Sequence, residues 1–91
     1  MDLSIGQIVY ATRGRDVGQV FIVVAAENGY VMLADGKRRK FAKPKRKKNK
    51  HLQATNCFAD VVKAKLESGQ MIGDSDVRKA LAAYREQSGR F

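Results

Sequence analysis

The run Val20-Phe21-Ile22-Val23-Val24 is apolar at every position, and no other segment constrains the fold as much. Successive side chains of a strand point to opposite faces, so this run, read as a strand, has both faces to bury and is expected to be sandwiched inside a barrel. Upstream, Ile8-Val9-Tyr10-Ala11-Thr12 has the β-branched and aromatic composition of a strand. It ends at Gly14, and a short loop reaches Gly18. Downstream, Asn28-Gly29 separates the apolar run from Tyr30-Val31-Met32-Leu33. Asn-Gly tolerates positive φ at both centres of a type I′ turn, whose twist matches the strands it joins. Asp35-Gly36 repeats the device before Lys37-Arg38-Arg39-Lys40-Phe41. Two such turns between strand-like runs predict a β-meander. Pro44 has no N–H to give a ladder, so pairing of the basic strand is expected to end at or before Lys43. Lys45 to Lys50 then reads as a solvated loop, and His51-Leu52-Gln53-Ala54-Thr55 as a closing strand.

Beyond Thr55 the hydrophobic period lengthens. Phe58, Val61, Val62 and Leu66 form one helical stripe, with Asn56 as N-cap and Gly69 just past the end. A second helix is predicted over Ser75 to Gln87, with Asp74 as N-cap and Val77, Ala80, Leu81 and Tyr84 as its stripe. Asp74 and Asp76 at its start and Arg85 near its end suit the helix dipole. Helices this short are marginal alone in water, so both should pack on the barrel or on each other. Residues 1–55 are thus expected to form the barrel and residues 56–91 a helical extension packed on it.

Charge identifies the class of partner. The chain has 91 residues and a formal net charge of +9. Residues 37–50 carry Lys37, Arg38, Arg39, Lys40, Lys43, Lys45, Arg46, Lys47, Lys48 and Lys50 without one acid, whereas the flanking segments are close to neutral. A field focused in this way attracts a polyanion. Phosphate neutralisation by these bases, aided by Arg13 and Arg15 in the Gly14–Gly18 loop, is the chemistry this pattern suits.

The stretch from Gly6 through Ile8-Val9-Tyr10-Ala11-Thr12-Arg13-Gly14 to Gly18-Gln19-Val20 resembles the KOW motif, in which alternating hydrophobics lead to a glycine and a short loop ends in Gly-x-Val. Together with Tyr30 to Phe41, Lys50-His51-Leu52-Gln53 and the two terminal helices, it looks like the bacterial KOW-domain RNA-binding proteins. Those are similar to a KOW-bearing family of archaeal and eukaryotic large-subunit ribosomal proteins. The resemblance covers nearly the whole chain, and it departs from the motif at Val17, where a lysine is common. It implies a mainly β fold, a five-stranded SH3-like barrel followed by two short α-helices, with ribosomal or other structured RNA as ligand.

The candidate RNA-binding residues are therefore Arg13, Gly14, Arg15, Gly18, Lys37, Arg38, Arg39, Lys40, Lys43, Lys45, Arg46, Lys47, Lys48, Lys50 and His51. Tyr10, Tyr30 and Phe41 are expected in the core rather than stacked on bases. His51 and Cys57 fall short of the four ligands of a structural zinc site, and no catalytic motif is recognisable. No enzyme activity, metal or cofactor is expected. The single cysteine cannot form an internal disulfide. The segment Met1-Asp2-Leu3-Ser4-Ile5-Gly6 lacks a signal-peptide pattern, and no apolar run reaches the roughly 20 residues that span a bilayer. A cytoplasmic monomer that binds RNA, with a ribosomal protein as a further partner and no membrane attachment, is the expectation. The alternative is an SH3-like or KOW-type protein-interaction module in transcription or translation, with the basic run serving solubility.

Overall fold

A computed structural model of the chain describes residues 3–88. Met1 and Asp2 of the segment read for a signal peptide, and residues 89–91 of the C-terminal extension, lie outside the described residues. Five strands, β1 (Gln7–Ala11), β2 (Val20–Glu27), β3 (Tyr30–Ala34), β4 (Lys45–Lys48) and β5 (Leu52–Phe58), form one antiparallel sheet in the order β4-β3-β2-β1-β5. A single 3-10 turn, Asn49–His51, precedes β5, and two helices follow, α1 (Asp60–Ser68) and α2 (Asp74–Ser88). This is the mainly β architecture with two C-terminal helices that the sequence predicts.

The central strand β2 explains the two-sided apolar run. Ile22 and Val24 join Ile8, Ala34, Ala59, Val62, Ile72, Val77 and Leu81 in one core between the sheet and the helices. Phe21 and Val23 join Leu3, Val9, Ala11, Val31, Leu33 and Leu52 in a second core on the other face. No helix contributes to the second core, so the sheet itself wraps around it, as an SH3-like barrel does. Strand pairing does not close the ring, since β4 and β5 are the two edges. The bulge where β1 meets β5 is sealed by side chains. Thr55 Oγ1 donates to the Ile8 carbonyl (2.6 Å) and Gln7 Nε2 donates to the Thr55 carbonyl (3.0 Å).

Several local expectations are corrected. The basic strand is Lys45–Lys48, paired with β3 from Leu33 to Tyr30, while residues 37–44 form a loop. Pro44 precedes the strand instead of ending it, where its missing N–H costs no ladder bond. Asn28-Gly29 joins paired Glu27 and Tyr30, but positive φ occurs at Gly29 alone, so the turn is not type I′. Asn56 lies within β5, and Ala59 precedes α1 without a side-chain cap. Phe58 and Val61 are exposed, and the buried contribution of α1 is Val62, with Leu66 packed beside it. Gly69 ends α1 in the left-handed conformation, as expected. On α2, Val77 and Leu81 are buried and Ala80 and Tyr84 pack against them. Asp74 caps a different segment, its Oδ1 accepting from the Phe41 N–H at 2.7 Å. Phe41 packs against the helix-side core, whereas Tyr10 is exposed.

Candidate nucleic-acid interface

The basic residues reach one region of the surface because the loops that carry them are tied together. The Thr12 N–H donates to the His51 carbonyl (2.9 Å), and Lys47 Nζ donates to the Arg13 carbonyl (2.9 Å). The first extends the β1–β5 pairing by one residue into the 3-10 turn, and the second ties the edge strand β4 to the 12–18 loop. The 35–41 loop is fixed by Asp35, whose Oδ1 accepts from the N–H groups of Lys37 and Arg39 (2.9 Å each). It therefore presents its bases from an ordered backbone.

Alternation along β4 divides its four bases between two environments. Lys45 and Lys47 stand opposite Leu33 and Val31 on the inner face, while Arg46 and Lys48 stand opposite Met32 and Tyr30 on the outer face. The inner pair meets Asp16, which is buried in the 12–18 loop. Asp16 Oδ2 lies 3.2 Å from Lys45 Nζ, 3.7 Å from Arg39 Nη2 and 4.0 Å from Lys47 Nζ. None of these is an aligned hydrogen bond, so the cluster is held by charge. Burial pushes the Asp16 carboxyl up, but Lys45, Arg39 and Lys47 together outweigh burial and hold it below the usual carboxylate range.

The candidate residues thus separate by role. Arg39, Lys45 and Lys47 face Asp16 and help to close the barrel. Lys37, Arg38, Lys40, Lys43, Arg46, Lys48 and Lys50 are exposed, as are Arg13 and Arg15. The Arg46 guanidinium stacks 3.9 Å from the centroid of the Tyr30 ring, which fixes its plane. Gly14 and Gly18 both have positive φ. A side chain at Gly18 would meet nothing within 4 Å, while one at Gly14 would come 3.5 Å from Lys47 Nζ. His51 lies among these cations. Partial burial, and then Arg13, Lys50, Lys48 and Lys47, push its pKa below the ordinary imidazole value, so it is neutral at pH 7.

The sequence reading missed Asp16. One acid directly after two exposed arginines reads as part of a solvated loop, and its ion partners Arg39 and Lys45 are far away in sequence. Among the described residues, no three His, Cys, Asp or Glu side chains gather into a metal site. Among the same residues, no helix is long and apolar enough to cross a membrane. The fold and surface define a class, a small mainly β protein whose barrel-like sheet carries an exposed basic face. No family model matches the chain, and no curated protein matches it.

Proposed function

We propose that the protein is a non-catalytic, cytoplasmic RNA-binding protein that grips the phosphate backbone of structured RNA. The observation that carries this reading is that β4 and the 3-10 turn are bonded to the 12–18 loop, that Arg39 of the 37–44 loop reaches Asp16 of that same loop, and that most bases of these segments are exposed. Ordered donors lose less freedom on binding than a mobile tail, and contacts of this kind position a phosphate chain without reading its bases. The KOW resemblance adds ribosomal RNA as the leading ligand.

Binding of a labelled RNA hairpin across a salt series tests the reading. With roughly 4–6 phosphates neutralised, affinity should fall by about 10²–10³-fold between about 50 and 200 mM salt. Replacing Arg46, Lys48 and Lys50 by Ala should remove much of that slope without unfolding the barrel. Lys45 and Lys47 are poor choices for the same test, because their loss also breaks the cluster at Asp16. A salt slope near zero would remove the reading. The exposed Phe58 and Val61 support a second one, a protein-interaction module, and a partner retained after RNase digestion would favour it.

A further inference from the structure

Where β4 turns into β5, one residue has a fixed backbone and a side chain without a partner. The Asn49 N–H donates to the Gly29 carbonyl at 2.9 Å, and the Asn49 carbonyl accepts from the Leu52 N–H. The side-chain Oδ1 of Asn49 is buried without a hydrogen bond, and among the described residues nothing holds the other end of the amide. A buried acceptor without a donor costs stability, so folding alone does not explain an amide at this position.

Asn49 lines a cavity of about 540 Å³ together with Leu3, Tyr30, Lys48, Lys50 and Leu52 among others. That volume falls within the roughly 300–1,000 Å³ usual for small-ligand sites. Leu3, Leu52 and the half-buried Tyr30 give it an apolar wall, and the exposed Lys48 and Lys50 stand on either side of Asn49 in the chain. Among the described residues no acid lines the cavity, and neither lysine is paired with a carboxylate. A phosphate chain alone would need neither an apolar wall nor a neutral amide. A nucleobase uses both, because its ring packs on apolar surface and its edge sets a donor beside an acceptor, which a side-chain amide matches in two bonds. No internal hydrogen bond has to break for the Asn49 amide to turn toward the cavity, and a half-turn about χ2 exchanges its two ends. A cation on each side suits the phosphates before and after such a base.

We propose that this cavity takes one unpaired nucleobase of an RNA bulge or loop, with the Asn49 amide on the base edge and Lys48 and Lys50 on the flanking phosphates. The inference rests on the RNA-binding reading and deepens it, adding a base contact to a surface otherwise suited to phosphates. Unpaired bases are those that can be splayed out of an RNA helix and met on their edges.

The test uses the full chain and three fluorescein-labelled RNA hairpins: one with a bulged adenosine, one with an abasic nucleotide at the bulge, and one fully paired. The abasic hairpin keeps the bulge and its phosphates, so its difference from the first measures the base alone. Wild-type protein should bind the adenosine bulge about 10-fold tighter than the abasic one, and Asn49→Ala should cut that preference to less than about threefold. The salt slope should stay the same, because Asn49 carries no charge. Asn49→Ala should melt at or above the wild-type temperature, since it removes a buried acceptor that has no donor. Should it melt early, Asn49→Asp keeps the shape, lacks the donor end and carries the same expected loss of preference. Wild-type protein that binds all three hairpins equally, with the predicted salt slope, would overturn the cavity and leave the RNA-binding reading standing. A preference for adenosine that survives both Asn49 variants would also overturn it, since the base would then sit elsewhere. Wild-type protein that binds none of the hairpins would overturn both.

Discussion

At Asp16 one carboxylate faces three cations that would otherwise repel one another across the mouth of the barrel. Removing one partner of a buried ionic cluster costs more than forming it gains, because the remaining charges stay desolvated. Lys45 and Arg39 keep about a third of their side chains in water, which softens that cost. Asp16→Asn should therefore lower stability by about 1–3 kcal/mol, read from urea midpoints at neutral pH. The pH dependence has a definite sign. Asp16 titrates below its unfolded value, so its contribution is full above about pH 4 and is lost as pH falls through the folded pKa. Asp76, held down by the Gly73 N–H and Lys65, adds to the same acid limb. The wild-type midpoint should thus drop below about pH 4, and the Asp16→Asn variant should show a shallower drop. An equal acid limb in both proteins would assign the loss to other carboxylates.

At the scale of elements, glycines with similar backbone angles have different costs of replacement. Gly29 (φ +75°) faces open space, while Gly36 (φ +79°) sits against Asp74 and Arg78 of α2. Gly29→Ala should cost about 1 kcal/mol of backbone strain. Gly36→Ala adds an overlap with helix backbone and should cost about 3 kcal/mol or more. Denaturant unfolding of the two variants checks this ordering, and equal losses would mean that the loop is not docked on α2. The same glycine shows where the sequence is legible. Asp35-Gly36 reads as a hairpin turn because nothing local reveals a helix nearly 40 residues later filling the space beside it. The basic strand was misplaced for a related reason. Alternation in an all-cationic segment shows only when an acid such as Asp16 gathers one face of it, and Lys37–Lys40 and Lys45–Lys48 look alike without that partner. By contrast, β1, β2 and β3 were readable from their apolar, β-branched and aromatic composition between turn residues. The α2 stripe was readable from its own helical period. Phe58 and Val61 misled by matching the helical spacing of α1, although Phe58 still belongs to β5 and Val61 faces outward.

On the scale of the whole molecule, β2 supplies side chains to both cores, with Ile22 on one side and Phe21 on the other. Damage to either core should then be transmitted through that strand to the whole fold. Leu33→Ala in the inner core and Leu81→Ala in the helix-side core should each cost about 2–4 kcal/mol, and both should lower one shared melting transition. Two separate transitions, with only the second responding to Leu81→Ala, would instead describe a barrel that folds independently of its helical extension. The change from strand to helix falls after Phe58, since residue 55 lies within β5. The helix-side core spans it, because Ala59, Val62, Val77 and Leu81 pack on Ile8, Ile22 and Ala34.

The stacking of Arg46 on Tyr30 also gives the protein an optical property. The chain contains no tryptophan and three tyrosines, so its ultraviolet emission comes from phenol rings, one of which lies beneath a guanidinium on the exposed face of β4. A ligand that draws Arg46 away changes the electrostatic environment of that ring. Occupancy of this face can therefore be followed by intrinsic tyrosine emission, without a dye attached to either molecule.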